Sequence, residues 1–120
     1  MIFDTNVLIY LSKNLLDPEK VLKNEIAISV ITKIEALGFT FKNNDEHELL
    51  LAICNDLKVI SLSDIIAEET INLRKNFRIK LPDAIIYATA LVEKHPLLTN
   101  NISDFKSINR NVELINPFDL

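Results

Sequence analysis

Asp4, Glu35, Asp83 and Asp104 are the residues of this chain whose type and spacing could do chemistry. Asp4 ends the apolar start Met1-Ile2-Phe3 and precedes Thr5-Asn6 and the run Val7-Leu8-Ile9-Tyr10-Leu11. That is the pattern of a strand, an acid and a helix. In an open α/β sheet the functional crevice lies outside the carboxyl ends of the strands, where Asp4 would stand. Asp83 follows Pro82 in the first turn of an apolar helix, and Asp104 lies in a turn just after Leu97-Leu98-Thr99. Glu35 sits in a helix beside an apolar stripe, about two turns beyond a second strand, within reach of the same edge.

Each acid alone has a plainer explanation. Asp4 is a helix N-cap, Glu35 a boundary residue, Asp83 a complement to a helix dipole and Asp104 a turn former. Gathered on one edge, the four would repel one another unless cations lay between them. Hard oxygen ligands of this kind suit Mg²⁺ or Mn²⁺. Such ions align a water, lower its pKa and stabilise charge on a phosphoryl group in transfer.

Other chemistries are poorly supplied. Gly38 is the one glycine, whereas phosphate-binding and dinucleotide-binding loops need several. Asparagine is abundant and can take the left-handed positions that glycine usually fills. Two histidines and one cysteine argue against a zinc site. His47, between Glu46 and Glu48, reads as solvated. His95 before Pro96 suits a helix C-terminus, and Cys54 in an apolar helix reads as core.

The 120 residues, 48% of them hydrophobic and 25% charged, read as one globular domain over 1–120. No run approaches the roughly 18 apolar residues of a membrane helix. The apolar start lacks a basic flank and carries Asp4, so no signal peptide is expected. A lone Cys54 points to a reducing, cytoplasmic setting. The net charge of −4 argues against a protein held on nucleic acid by bulk positive charge. It leaves room for an enzyme whose bound metal supplies positive charge locally.

The positioning elements alternate. Strands are expected at 1–5, 26–29, 57–62, 97–99 and 112–115. Helices are expected at 6–14, 18–24, 30–41, 46–56, 64–77 and 82–94. In the 30–41 helix the apolar residues at 30, 31, 34, 37 and 41 follow helical spacing. In the 46–56 helix Leu49, Leu50, Ile53 and Leu57 should face inward. The 82–94 helix is apolar nearly all round and should be central. No hairpin signals interrupt the order, which gives an α/β fold with a parallel sheet. Just before Asp83, Arg74, Lys75, Arg78 and Lys80 form a basic cluster. It is either a phosphate-contacting edge or a solvated face balanced by Glu68 and Glu69.

Four segments carry a family resemblance. They are Phe3-Asp4-Thr5-Asn6-Val7-Leu8-Ile9, Ile28 through Gly38, Leu81 through Ala90, and Leu98-Thr99-Asn100-Asn101-Ile102-Ser103-Asp104-Phe105. In this order and over nearly the whole chain, they resemble the PIN-domain nucleases, in particular the VapC-type ribonuclease toxins of toxin–antitoxin pairs. The resemblance implies a three-layer sandwich with a five-stranded parallel sheet in the order 3-2-1-4-5 between helices. It implies a Mg²⁺- or Mn²⁺-dependent endoribonuclease with Asp4 and Asp83 as main metal ligands and Glu35 as the third acid. Asp104 is the remaining acid of the last segment, but Asn101 lies where some relatives place one, so the fourth position stays open between them. Thr99 and Asn6 match polar residues that support the carboxylates through hydrogen bonds. The family also implies a homodimer through helices, which the high aliphatic content suits, and an inhibitory antitoxin that can push a basic residue into the acidic site.

The expected activity is hydrolysis of RNA by a metal-activated water attacking in line, leaving a 5′-phosphate and a 3′-hydroxyl with no covalent intermediate. Alternatives are a non-catalytic module that binds RNA or protein, and a metal-dependent nuclease acting on DNA.

Overall fold

The computed structural model describes residues 1–23 and 25–120. Its centre is one sheet of five parallel strands in the order β3-β2-β1-β4-β5, as the resemblance implied. The strands are β1 Ile2–Phe3, β2 Ala27–Ser29, β3 Lys58–Ile60, β4 Leu97–Leu98 and β5 Leu114–Ile115. Ile2 is in register with Ala27 on one side and Leu97 on the other. β1 therefore lies between the second strand of the chain and the fourth.

Strands covered on both faces have little use for polar alternation, and β1, β2 and β4 are buried throughout. Successive side chains of a strand point to opposite faces. Ile2 and Leu97 accordingly join one core with Ile86, Tyr87 and Phe105, while Phe3 and Leu98 join the other with Leu8, Leu11 and Ile28. The helices are α1 Thr5–Ser12, α2 Pro18–Val21, α3 Val30–Leu37, α4 Asn44–Asp56, α5 Asp64–Asn76, α6 Leu81–Glu93 and α7 Ile102–Phe105, with a 3₁₀ turn at Pro117–Asp119. α6 is the central helix, buried without a break from Ala84 to Ala90. Its Tyr87 stacks on Phe105, with ring centres 6.0 Å apart, and donates a hydrogen bond to the Ile108 carbonyl.

Several boundaries differ from expectation. β3 and β5 are shorter than the apolar runs that suggested them. Asn111 stands at φ 65 just ahead of the last strand, and the ladder starts at Leu114. α2 was expected to reach Asn24, which lies outside the described residues, and its helix ends at Val21. α3 stops at Leu37 instead of Phe41. Gly38 caps it with an ordinary φ of −82, and a Cβ there would come 2.9 Å from the Ile34 carbonyl oxygen. Glycine is thus needed at this position for close approach.

The buried face of α3 is also not the expected stripe. Thr32 and Ala36 are buried, and Ile34 is 62% exposed. α3 packs against α1, α4 and α6, and its small side chains admit that approach where Ile34 would hold the helices apart. On α4, Leu50 and Cys54 are buried while Leu49 turns outward. Cys54 is core, as read from the sequence. Among the described residues the left-handed ones are Asn14, Lys94 and Asn111, so asparagine does take positions that glycine commonly fills.

Candidate active site

In a parallel sheet every strand ends on the same rim. Asp4 after β1, Thr99 after β4 and Asn116 after β5 are therefore brought to one edge by topology alone. Asp4 is extended at φ −71 and ψ 157 and caps α1, its Oδ1 accepting the Thr5 backbone N–H at 2.7 Å. It is also 3% exposed, so the capping role does not exhaust it. Its Oδ2 accepts from Thr99 Oγ1 at 2.7 Å and from Asn6 Nδ2 at 3.0 Å.

These supports are themselves held. Asn6 Oδ1 accepts the Asn100 backbone N–H at 3.1 Å, and Thr99 Oγ1 accepts the Asn101 backbone N–H at 3.0 Å. The start of α1 is thereby tied to the loop that follows β4. Burial raises the pKa of Asp4, with a smaller push from Glu35, against the hydrogen bonds of Thr99, Thr5 and Asn6 that favour the charged form. A carboxylate offers about four lone-pair sites. The three donors above leave Oδ1 with capacity for a further ligand.

Asp83 enters from the opposite face, in the first turn of α6. A helix N-terminus ordinarily favours a negative charge. Here the pKa is instead pushed up to about 6, first by burial, then by repulsion from Asp4, Asp104 and Glu35, with Lys80 pulling the other way. Glu35 reaches the rim from the exposed side of α3, where its Oε1 accepts from Thr5 Oγ1 at 2.7 Å. Thr5 and Asn100 were not among the site residues expected from the sequence. The sole sequence signal for them was their place beside Asp4 and Thr99.

Asp104 is exposed in the first turn of α7. With Asp83, Arg78, Ile79, Lys80, Ser103 and Ser107 it lines a cavity of about 300 Å³. Asn101 is exposed too, and its side chain makes no capping bond to α7. Of these two, Asp104 is the one whose charge is felt at Asp83. The basic cluster divides. Arg78 and Lys80 stand at the acidic cavity, whereas Arg74 and Lys75 lie in the last turn of α5 and do not line it. Among the described residues the one ion pair joins Lys13 to Glu46, so Arg78 and Lys80 are not engaged in salt bridges. His47 packs near the Phe41 ring and not at the rim.

Among the described residues no three histidine, cysteine, aspartate or glutamate side chains form a ready-made grip for a metal ion. The donor set nonetheless suits one. It consists of carboxylate oxygens, and on two of the acids, Asp4 and Asp83, the charge is disfavoured by burial and by neighbouring carboxylates, a strain that a hard divalent cation relieves.

The PIN domain family profile matches residues 1–111. A toxin–antitoxin complex from Klebsiella pneumoniae contains a chain 31% identical, with TM-score 0.76 over 97% of this chain and 96% of that one. VapBC2 from Rickettsia felis, bound to a DNA fragment from its promoter, contains one 30% identical, with TM-score 0.78 over 97% and 98%. DNA-bound VapBC from Salmonella typhimurium, at 22% identity and TM-score 0.79 over 96% of each chain, shares the fold. No curated protein matches the chain. The chain belongs to the PIN domain family, in its VapC type.

Proposed function

We propose that this chain, as a single domain over 1–120, is the toxin of a toxin–antitoxin pair and a Mg²⁺- or Mn²⁺-dependent endoribonuclease. The observation that carries this reading is Asp83, pushed up to about 6 first by burial and then by repulsion from Asp4, Asp104 and Glu35. Asp4 and Asp83 would hold the ion from the two faces of the sheet, with Glu35 and Asp104 completing the set. The ion, when bound, supplies Lewis-acid charge at the phosphoryl oxygens and acidifies a water.

The chain's own groups do the positioning. Thr99 and Asn6 fix one oxygen of Asp4, and the other, which accepts the Thr5 N–H, keeps a lone pair to bind with. Thr5 turns Glu35 towards the rim, where it can accept a proton from the attacking water. Arg78 and Lys80 offer charge to the phosphates flanking the scissile bond. Water attacks in line, the 3′-oxygen leaves, and the products carry a 5′-phosphate and a 3′-hydroxyl.

The relatives are VapBC or other toxin–antitoxin complexes, which supports an antitoxin as partner here. A homodimer is supported by Ile34 and Ile65, 62% and 66% exposed, on helices that both pack against α6. No helix among the described residues is long and apolar enough to cross a membrane, which together with the lone buried thiol of Cys54 supports a cytoplasmic setting.

The test is incubation of purified protein with total cellular RNA in Mn²⁺, in Mg²⁺ and in EDTA, beside Asp83→Ala. Discrete fragments that require metal and Asp83 are expected. Metal-independent RNA binding without product would assign a non-catalytic module, and cleavage confined to DNA would change the substrate.

A further inference from the structure

The rim carries one feature that the carboxylate chemistry does not use. β5 lies two strands from β1, so the segment that follows it starts roughly 10 Å from Asp4 along the rim. That segment presents Phe118, whose side chain is 50% exposed. Its backbone is fixed, because Pro117 is buried and Asn116 Oδ1 accepts the Phe118 N–H at 3.0 Å. The ring packs on Tyr10, with centres 5.4 Å apart and planes tilted by 57°.

Tyr10 is not separate from the acids. It lies one turn after Asn6 on the same face of α1, and its hydroxyl accepts from Asn100 Nδ2 at 3.2 Å. Asn100 in turn donates its backbone N–H to Asn6, and Asn6 donates to Asp4. A continuous track therefore runs from Asp4 through Asn6, Asn100 and Tyr10 to an aromatic face left in water. Packing of the last turn onto α1 would account for a buried ring. It does not account for an exposed one on a fixed backbone, beside Tyr10 and lining a hollow with Leu15, Lys20 and Val21.

We propose that Phe118, backed by Tyr10, is a stacking ledge for a base of single-stranded RNA, a nucleotide or two from the phosphate at Asp4 and Asp83. This rests on the nuclease reading and adds to it a requirement for an unpaired base beside the cleaved bond. Stacking accepts any base because each has a π face, so the ledge selects single strands and leaves sequence to other contacts. Phe39, also exposed, lies with Lys13 and Phe41 beyond the far end of α1 and serves as a control.

The chain contains no tryptophan, so Phe118→Trp installs a single fluorescent reporter. It would be titrated, in EDTA and in Ca²⁺, with a short mixed-sequence single-stranded RNA and with an abasic ribose-phosphate chain of equal length. RNA should quench the emission and the abasic chain should not, while Phe39→Trp stays unquenched by both. Phe118→Leu keeps an apolar contact with Tyr10 and should bind RNA about 5- to 100-fold more weakly at unchanged melting temperature. Equal quenching by the two chains, or RNA binding by anisotropy with no quenching, overturns the ledge and leaves the nuclease standing. Failure of the unaltered protein to bind or cleave any RNA removes both.

Discussion

Neutralising Asp83 should make the metal-free protein more stable. Its carboxyl sits at about 6 against the ordinary 3.8 of an aspartate, so the folded state holds a proton that the unfolded chain has already released. Stability is therefore fully present below about pH 4, falls as the pH rises to about 6, and is flat beyond. Two pKa units correspond to about 3 kcal/mol. Asp83 is only partly buried, so solvent screening brings the usable figure to about 1–2 kcal/mol. Asp83→Asn keeps the shape and removes the charge. It forfeits a helix-dipole interaction of about 0.3–1 kcal/mol, which is the smaller effect. In EDTA at pH 7 the variant should melt about 3–8 °C above the parent, and at pH 4 the two should coincide. Metal should narrow or invert the gap. An ion at ten times its dissociation constant stabilises the parent by about 1.4 kcal/mol and the variant far less. The measurement is thermal unfolding across pH 4–8 with and without Mn²⁺. A variant less stable than the parent at pH 7 in EDTA, or a gap that ignores pH, would show that the acids do not repel one another at Asp83.

Three further outcomes are expected. Thr99→Val removes a donor from a buried carboxylate and should cost about 1–3 kcal/mol in urea unfolding; a neutral result would mean that Asp4 finds another partner. Arg78→Glu with Lys80→Glu should raise the RNA concentration needed for half-maximal cleavage and flatten its salt dependence, and unchanged kinetics would route RNA elsewhere. Thr32 Oγ1 is buried without a hydrogen-bond partner, so Thr32→Val should stabilise the chain by about 1 kcal/mol, and a lower melting temperature would reveal a hidden partner.

Where sequence and structure agree, the signal was local and chemical. A strand running into Asp4, a Pro82-Asp83 helix start and the unbroken apolar run of α6 each state their own position. The sheet order came through the resemblance, since pairing of Ile2 with Leu97 is invisible to any short window. The face of α3 was misread for a physical reason. Periodicity counts apolar surface, but a helix packed against three others, α1, α4 and α6, turns its small residues inward, so Thr32 and Ala36 displaced Ile34. The Thr5–Glu35 and Asn6–Asn100 bonds join residues 30 and 94 apart, and nothing in the type of either partner announces the other.

The placement of β1 has a consequence for the order in which the molecule becomes competent. During synthesis its first partner, β2, arrives early, but its second, β4, is made more than ninety residues after it. Until β4 docks, Asp4 lacks the Thr99 hydroxyl, which lies 95 residues away in sequence, and the anchor that Asn100 gives Asn6. A nascent chain emerging N-terminus first therefore carries its leading acid long before it can orient it. The rim is complete only once β4 and β5 have left the ribosome. Premature termination before Leu97 yields a chain with Asp4, Glu35 and Asp83 all present and no fixed arrangement among them.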